Sequence, residues 1–506
     1  MRHLKIILIV LSFVLIFLFS IHTLTSINQD IGRHLKTGQI IWETKSVPKI
    51  NLFSFTEPDQ PFINHHWLSE VIFYVLSIWI GLKGLIIFKA IVILLAFALI
   101  FASVYSKTGL WPLFIGLMAS LPILIDRTDV RPEIFSFLFL AYFIYAILKS
   151  KHSDEHRYLY ALPIIQLFWV NMHIYFALGP GLLFLYIIDR VIHERGNRPQ
   201  LRIISIIFGL SCLATLFNPN FIRGALEPFM IMRNYGYSIV ENQSIFFLKD
   251  WGILKMSINF FELSLLLLIS SFIIAIKNGA KKISFEVLSC IALSILAIRM
   301  VRNFGPYTFI FLPVFSLNLS YSQIAPFLHK KKTQIIILIL SIFLTVWLIF
   351  SVVNNSYFHF MMMARSFGLN IPNGASKAID FVNKNNLKGP VFNNFDVGSY
   401  LIWKLYPKEK VFVDGRPEAY SYDFLKKIYI PMQEKPELWE KYSEQYKINY
   451  VFFDHQDITN WGVDFIKYIV TNPKWPLIYA DDSIAIFIKR TPQNQELINK
   501  FEIITR

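Results

Sequence analysis

Runs of Leu, Ile, Val and Phe recur through the first 353 residues, separated by short polar stretches, and after residue 353 they give way to shorter alternating segments. About 20 apolar residues are needed to carry a helix across hydrocarbon. By that measure, spans fall at roughly 6–26, 85–105, 110–125, 132–148, 158–174, 175–190, 203–218, 257–276, 283–298, 304–320 and 333–353, about eleven in all. The segment Trp67 to Gly81 is apolar but short, and Glu70 interrupts it. Counting it as a span inverts every later loop, so it reads as a helix in the outer interface, where Trp67, Tyr74 and Trp79 suit the headgroup region. The alternating loops Tyr105–Gly109, Lys149–Arg157, Arg190–Arg202, Lys277–Lys282 and His329–Lys332 all carry Lys or Arg, which predicts a cytoplasmic N-terminus.

Beyond residue 353 the stretches Pro390–Asn393, Lys410–Asp414, Asn449–Asp454, Leu477–Ala480 and Ile484–Ile488 read as strands. Helical periods such as Ala375–Asn385 and Asp464–Val470 lie between them. The expected fold is therefore mostly α: a polytopic membrane helix bundle over 1–353, with a first outward loop at 27–84, followed by a soluble extracytoplasmic α/β domain over 354–506.

Composition narrows this further. The chain of 506 residues is 55% hydrophobic and only 16% charged, against the quarter usual in soluble domains, which excludes a single soluble globule. Nearly all of the +15 net charge lies before residue 354, as basic cytoplasmic loops would have it, so no nucleic-acid partner is implied. The only cysteines, Cys212 and Cys290, sit in apolar runs and offer neither a disulfide framework nor a thiolate metal site. Met1–Lys5 followed by the apolar run from Ile6 has a signal-like layout without a small-residue cleavage site, which reads as an uncleaved first span.

Polar residues at the wrong boundary supply the candidate chemistry. Arg127 and Arg131 flank the second outward loop, and Arg299 and Arg302, three apart on one expected helix, close the ninth span. Arginine grips phosphate through a planar fork, so the four point to an anion; the alternative is pairing with acids such as Asp126 or Asp129, or snorkelling to water. The loop after the first span carries Asp30, Arg33, His34, His65, His66 and Glu70. Asp30 is placed to act as general base for an acceptor hydroxyl, or to cap the helical stretch from Ile31 to Glu43. No cofactor is dictated, although His66 and Glu70, at i and i+4, could share a divalent metal. Asn171 and His173 beside Trp169 offer hydrogen bonding and stacking to a sugar ring, or interfacial anchoring. The stretch 218–252 holds Arg223, Glu227, Arg233, Glu241, Asn242 and Lys249, and Glu241 is expected near the site, against the reading of a solvated loop. In the tail, Asp414 in "FVDG" and Asp396 before Gly398 either bind a metal or a sugar hydroxyl or simply cap turns.

The run from Asp30 to Ala90 resembles the first loop of the GT-C superfamily of membrane glycosyltransferases. There an acidic residue follows the first span, then come a Gly, a Pro and a His-containing stretch opening an interfacial helix that ends in Gly; Asp30, Gly38, Pro48, His65 with Trp67 and Leu68, and Gly81 occupy those places. Stretches like "RPEIFSFLFLA", "WVNMHIYFALG" and "FNPN" occur in related bacterial membrane proteins of uncertain substrate. Two departures stand out: Asp30 is followed by Ile31 and Gly32 instead of a second acid, and His66 replaces a Pro. The resemblance implies an enzyme of the cell membrane that takes a sugar from a polyprenyl-phosphate-linked donor within the lipid bilayer and passes it to an extracytoplasmic glycan, lipid or protein. Asp30 would be the base and the outward arginines the partners of the departing phosphate. The alternative is a non-catalytic assembly or polysaccharide transport protein that keeps the GT-C architecture.

Overall fold

A computed structural model describes residues 1–24, 30–193, 198–230, 234–322, 331–371 and 374–504. The chain packs into two compact units that do not follow its linear order. Unit 1 comprises Met1–Leu24, Ile80–Pro228 and Ile239–Asn370; unit 2 comprises Thr25–Trp79, Phe229–Ser238 and Ile371–Arg506.

The helices α1 (Arg2–Phe19), α2 (Ile31–Thr44), α3 (Trp67–Thr108), α4 (Leu110–Leu124), α5 (Glu133–Ser153), α6 (Leu162–Met172), α7 (Leu178–His193) and α8 (Arg198–Ala214) come first. They are followed by α9 (Phe221–Met230), α10 (Ile245–Asp250), α11 (Met256–Lys277), α12 (Ser284–Arg299), α13 (Phe304–Ser320) and α14 (Lys331–Val353). Each of the eleven expected spans overlaps one of these helices; the first runs past the end of α1 at Phe19, and its last residues, 25 and 26, lie outside the described residues. Among the described residues, seven helical segments are long and apolar enough to cross a membrane, which makes this a multi-pass membrane architecture. α4 and α7 reach that length with the adjoining 3-10 turns Ile125–Arg127 and Ile174–Ala177, whereas the expected spans at α6, α8, α12 and α13 are shorter, at 11 to 17 residues.

Unit 1 is built around α13. Its sequence is apolar on every side, and every residue from Phe304 to Asn318 is buried, as a helix without a polar face must be. It packs against α4, α5, α11 and α12. On α4, a Cβ at Gly116 would lie 3.0 Å from Ser316 Oγ, so small residues set that approach. Conversely, α11 leaves Leu266, Ile269 and Ile273 exposed and α14 leaves Leu340, Phe343 and Phe350 exposed, as faces made for hydrocarbon. At one end of the unit Lys151 Nζ lies 2.9 Å from Asp189 Oδ1 and 2.5 Å from Glu286 Oε2, tying α5, α7 and α12 together.

Helix α3 is interrupted at Gly81 (φ 66°, ψ −179°), a conformation open to glycine alone. This break separates the limb that starts at Trp67 from the long apolar limb ending at Thr108.

In unit 2 a four-stranded sheet runs in the order β1-β2-β4-β3, with β1 Val391–Asn393, β2 Tyr450–Asp454, β3 Leu477–Ala480 and β4 Ile484–Ile488. β1 and β2 are parallel, with Val391 opposite Tyr450, and β4 is antiparallel to both β2 and β3. β4 is buried throughout: the helix Ser376–Lys384 packs against it and β3, and the helix Asn460–Thr471 sets Phe465 on Phe392 of β1 and Phe453 of β2; the Thr459 hydroxyl caps the latter helix by accepting from Gly462 N. The expected strand Lys410–Asp414 does not join the sheet. The Asn393 side chain accepts from Phe412 N at 2.9 Å and donates to Val413 O at 2.7 Å, filling the positions a ladder would use. The other edge of that segment pairs with the first loop: Val411 N donates to Phe53 O and Phe55 N to Val411 O.

Candidate functional site

In unit 2, the first loop brings together most of the polar residues singled out in the sequence. Asp30 is the N-cap residue of α2 but makes no side-chain cap, and its carboxylate is partly exposed. Arg33, one turn on, sits between two acids: Nη2 is 3.6 Å from Asp30 Oδ1 and Nη1 is 3.5 Å from Glu70 Oε1. Glu70 is fully buried; its Oε1 meets His34 Nδ1 at 2.8 Å and its Oε2 accepts from Asn64 Nδ2 at 2.6 Å. Burial pushes the Glu70 carboxyl up to about 7, against the pull of Arg33, Asn64 and Arg416. The His66 ring stands edge-on to both His34 and His65, with centroids 5.2 and 4.2 Å apart. Ligand atoms of His34, His66 and Glu70 all lie within 4.8 Å of one another. The glycine of the first-loop motif has a physical reason here: a Cβ at Gly38 would lie 2.1 Å from Glu70 O, so only glycine lets α2 approach α3 this closely.

Asp414 in the tail is committed to structure. Its oxygens accept from Arg416 Nε at 2.7 Å and Nη2 at 2.8 Å and from the Tyr420 hydroxyl at 2.9 Å, so the turn-capping reading of "FVDG" is the one the geometry favours. Burial opposes the charge, but the Arg416 guanidinium and the hydrogen bonds hold the Asp414 carboxyl below the usual carboxylate range. Asp396 is exposed.

In unit 1, the arginines of the second outward loop meet acids from elsewhere in the chain. Arg127 pairs with Glu133 at 2.5 Å and with Glu241 at 2.9 Å, and Arg131 pairs with the other oxygen of Glu241 at 2.5 Å. The nearby acids suggested by sequence, Asp126 and Asp129, are used differently. Asp126 accepts from the Ser257 hydroxyl and lies 3.8 Å from Lys255 Nζ, and Asp129 lies 3.7 Å from Arg365. Burial opposes ionisation of Glu241, yet the two guanidiniums hold its carboxyl well below the ordinary value. The expectation that Arg299 and Arg302 share a helix face is not met. α12 ends at Arg299 because Met300 is extended (φ −147°, ψ 117°), and Arg302 lies in the short turn that follows. Arg299 is exposed, whereas Arg302 donates to Asn242 Oδ1 at 3.0 Å and sits over the Tyr175 ring.

His173 ends α6 in an extended conformation and reaches Ser136 Oγ at 3.0 Å, beside a Trp169 that is wholly buried and donates to the same hydroxyl. Trp169 is thus a core residue and not an interfacial anchor. Asn171 donates to the carbonyls of Leu167 and Phe217, each at 2.9 Å. Of the stretch 218–252, Glu241 and Asn242 join the cluster, Lys249 pairs with Glu262 on α11, Arg223 is exposed and Glu227 is half-buried. Arg233 lies outside the described residues.

Three further members were missed in the sequence. His22 Nε2 lies 2.8 Å from Lys89 Nζ, 3.0 Å from Arg365 Nη1 and 3.0 Å from Thr128 Oγ1. Lys89 could have been found: a lysine within an apolar span is by default a functional-site signal. His22, inside the expected span 6–26, carried the same signal and was passed over, whereas Arg365 lies beyond the last expected span and carried none.

No protein-family model matches the sequence, and no curated protein matches it. Solved structures do. The archaeal oligosaccharyltransferase AglB from Archaeoglobus fulgidus, in complex with an inhibitory peptide and a dolichol-phosphate, superimposes with a TM-score of 0.62 over 96% of this chain and 74% of that one, at 11% identity. The Archaeoglobus fulgidus oligosaccharyltransferase tethered to an acceptor peptide containing the NVT sequon gives 0.60 over the same shares at 12% identity. Its complex with Zn and sulfate gives 0.51 over 96% and 73% at 10% identity. The chain therefore has the GT-C fold, as the first-loop resemblance implied; at this identity the likeness is one of fold.

Proposed function

We propose that the protein is an integral membrane glycosyltransferase that moves a sugar from a polyprenyl-phosphate-linked donor to an extracytoplasmic glycan, lipid or protein. The observation that carries the reading is the GT-C fold over 96% of the chain, shared with an enzyme solved in complex with a dolichol-phosphate. The chemistry requires a base for the acceptor hydroxyl and cations for the departing phosphate. Asp30 is the proposed base. As the acceptor oxygen bonds to the anomeric carbon, the bond from that carbon to the phosphate oxygen breaks, the hydroxyl proton passes to the Asp30 carboxylate, and the polyprenyl phosphate leaves with the electron pair.

The charge balance in unit 1 supports an anion there. Arg127, Arg131 and Arg365 face the carboxylates of Glu133, Glu241 and Asp129, Arg302 donates to the Asn242 amide and not to an acid, and Lys89 is a further ionisable amine. Four guanidiniums against three carboxylates leave a positive surplus that a phosphate would balance. Asn171 and His173 are proposed as sugar contacts, and Arg33, His34, His65, His66 and Glu70 as the shell behind Asp30. The unbroken burial of α13, without a charged residue in its span, speaks against a polysaccharide path through the bundle. In the proposed orientation, residues 1–353 form the membrane domain with a cytoplasmic N-terminus, and 354–506 lie outside.

Purified protein supplied with synthetic polyprenyl-phosphate-linked sugars and extracted envelope material as acceptor should move the sugar to that material and release free polyprenyl phosphate. Asp30→Asn should lower that rate by about 10² to 10⁴, the usual contribution of a general base. A folded Asp30→Asn protein within about threefold of wild type, on that same scale, would remove Asp30 from the mechanism.

A further inference from the structure

Three buried carboxylates stand out, and two are already neutralised by a built-in cation. Asp414 holds the Arg416 fork at 2.7 and 2.8 Å, and Glu286 holds Lys151 at 2.5 Å. Glu70 is different. Its nearest guanidinium, Arg33, stands off at 3.5 Å, and the groups at hydrogen-bonding distance are the His34 imidazole and the Asn64 amide. A fully buried carboxylate with an imidazole 2.8 Å away and a second imidazole alongside it is the donor set of a His₂Glu metal centre.

We propose that His34, His66 and Glu70 bind one divalent transition ion of the zinc type. In a tetrahedral zinc site, with metal–ligand distances of about 2.0–2.2 Å, ligand atoms lie roughly 3.3 Å apart. The three side chains already bring theirs within 4.8 Å of one another, so small side-chain rotations complete the set. The outer shell is in place as well: Asn64 Nδ2 holds Glu70 Oε2 at 2.6 Å and so orients Oε1 toward His34. A dication would supply a counter-charge in direct contact with Glu70, where Arg33 stands off at 3.5 Å.

The ion would do more than neutralise. It would join three places in the chain: α2 through His34, the loop before α3 through His66, and α3 through Glu70. It would also repel Arg33 from Glu70 and favour its contact with Asp30, now 3.6 Å away. His34, His66 and Glu70 would then be positioning residues for Asp30.

The test needs no substrate, so its outcome is independent of the glycosyl-transfer reading. Tag-free, full-length protein in detergent is stripped with EDTA, exposed to Zn²⁺, desalted and assayed for metal; Co²⁺ loaded in its place is read by visible absorption. The expected result is about one ion retained per chain, as a three-ligand site requires, with a cobalt d–d band of low-coordinate geometry. Retention should be lost in His66→Ala and in Glu70→Gln, and weakened about 10- to 100-fold in Asn64→Ala. Glu70→Gln keeps the shape and the Asn64 contact, so it decides the matter if His66→Ala does not fold. Absence of stoichiometric metal in the wild-type protein, or full retention in folded Glu70→Gln, would overturn the site.

Discussion

Arg302 and Arg299 separate two roles that the sequence had merged. Arg302 donates to Asn242 and lies over Tyr175, held in a half-buried polar cluster, while Arg299 is exposed at the last residue of its helix. If Arg302 helps to hold the donor phosphate, Arg302→Lys keeps the charge but loses the planar fork, and should raise the KM for the lipid-linked donor more than that for the acceptor. Arg299→Ala should leave donor dependence unchanged. Steady-state kinetics with purified donor tests both: an unaltered donor KM in Arg302→Lys would reject the assignment. The sequence exposed the arginines because charge at an outward boundary is conspicuous. It could not assign their partners, because Glu241 lies 110 residues from Arg131 and local acids were equally good candidates on paper.

At the scale of elements, the first loop is held by close backbone approach as much as by charge. Adding a methyl group at Gly38 puts a carbon 2.1 Å from a carbonyl oxygen of α3, so the helices must part. Gly38→Ala should therefore cost about 1–3 kcal/mol, the usual range for overpacking. Gly209, on α8 with nothing near its Cβ position, should accept alanine without loss. Thermal melts of the two variants in detergent make the comparison; equal melting temperatures would contradict the packing account. The elements themselves were largely legible. Apolar length located the spans, alternation located four strands, and a glycine ended the limb from Trp67, where φ of 66° requires one. Two failures have a common cause. Lys410–Asp414 looked like a sheet strand, but its hydrogen bonds go to residues 53–55 and to the Asn393 side chain. Arg299 and Arg302 looked helical, but the backbone turns at Met300 and Val301 N donates to Gln243 O at 3.1 Å. Partners distant in sequence decide both, and periodicity does not report them.

For the whole molecule, the proposed orientation places the C-terminal residues outside the cell membrane, since the basic loops otherwise fall on the wrong side. Glu437 is exposed whereas Ser443 is 2% exposed, so Glu437 is the useful probe position. A Glu437→Cys protein should react with a membrane-impermeant maleimide in intact cells; labelling only after lysis would reverse the topology. The fold was anticipated by the order Asp30, Gly38, Pro48, His65 and Gly81. The regrouping of residues 25–79 with 371–506 was not, because compact units are set by contacts and not by chain order. The central claim, transfer of a lipid-linked sugar with Asp30 as base, is tested most directly by glycan analysis of envelope material. A strain lacking the protein should lose a defined sugar from an envelope component, wild-type protein should restore it, and Asp30→Asn present at equal level in the membrane should not. An unchanged glycan profile on deletion, or full restoration by Asp30→Asn, would contradict the account.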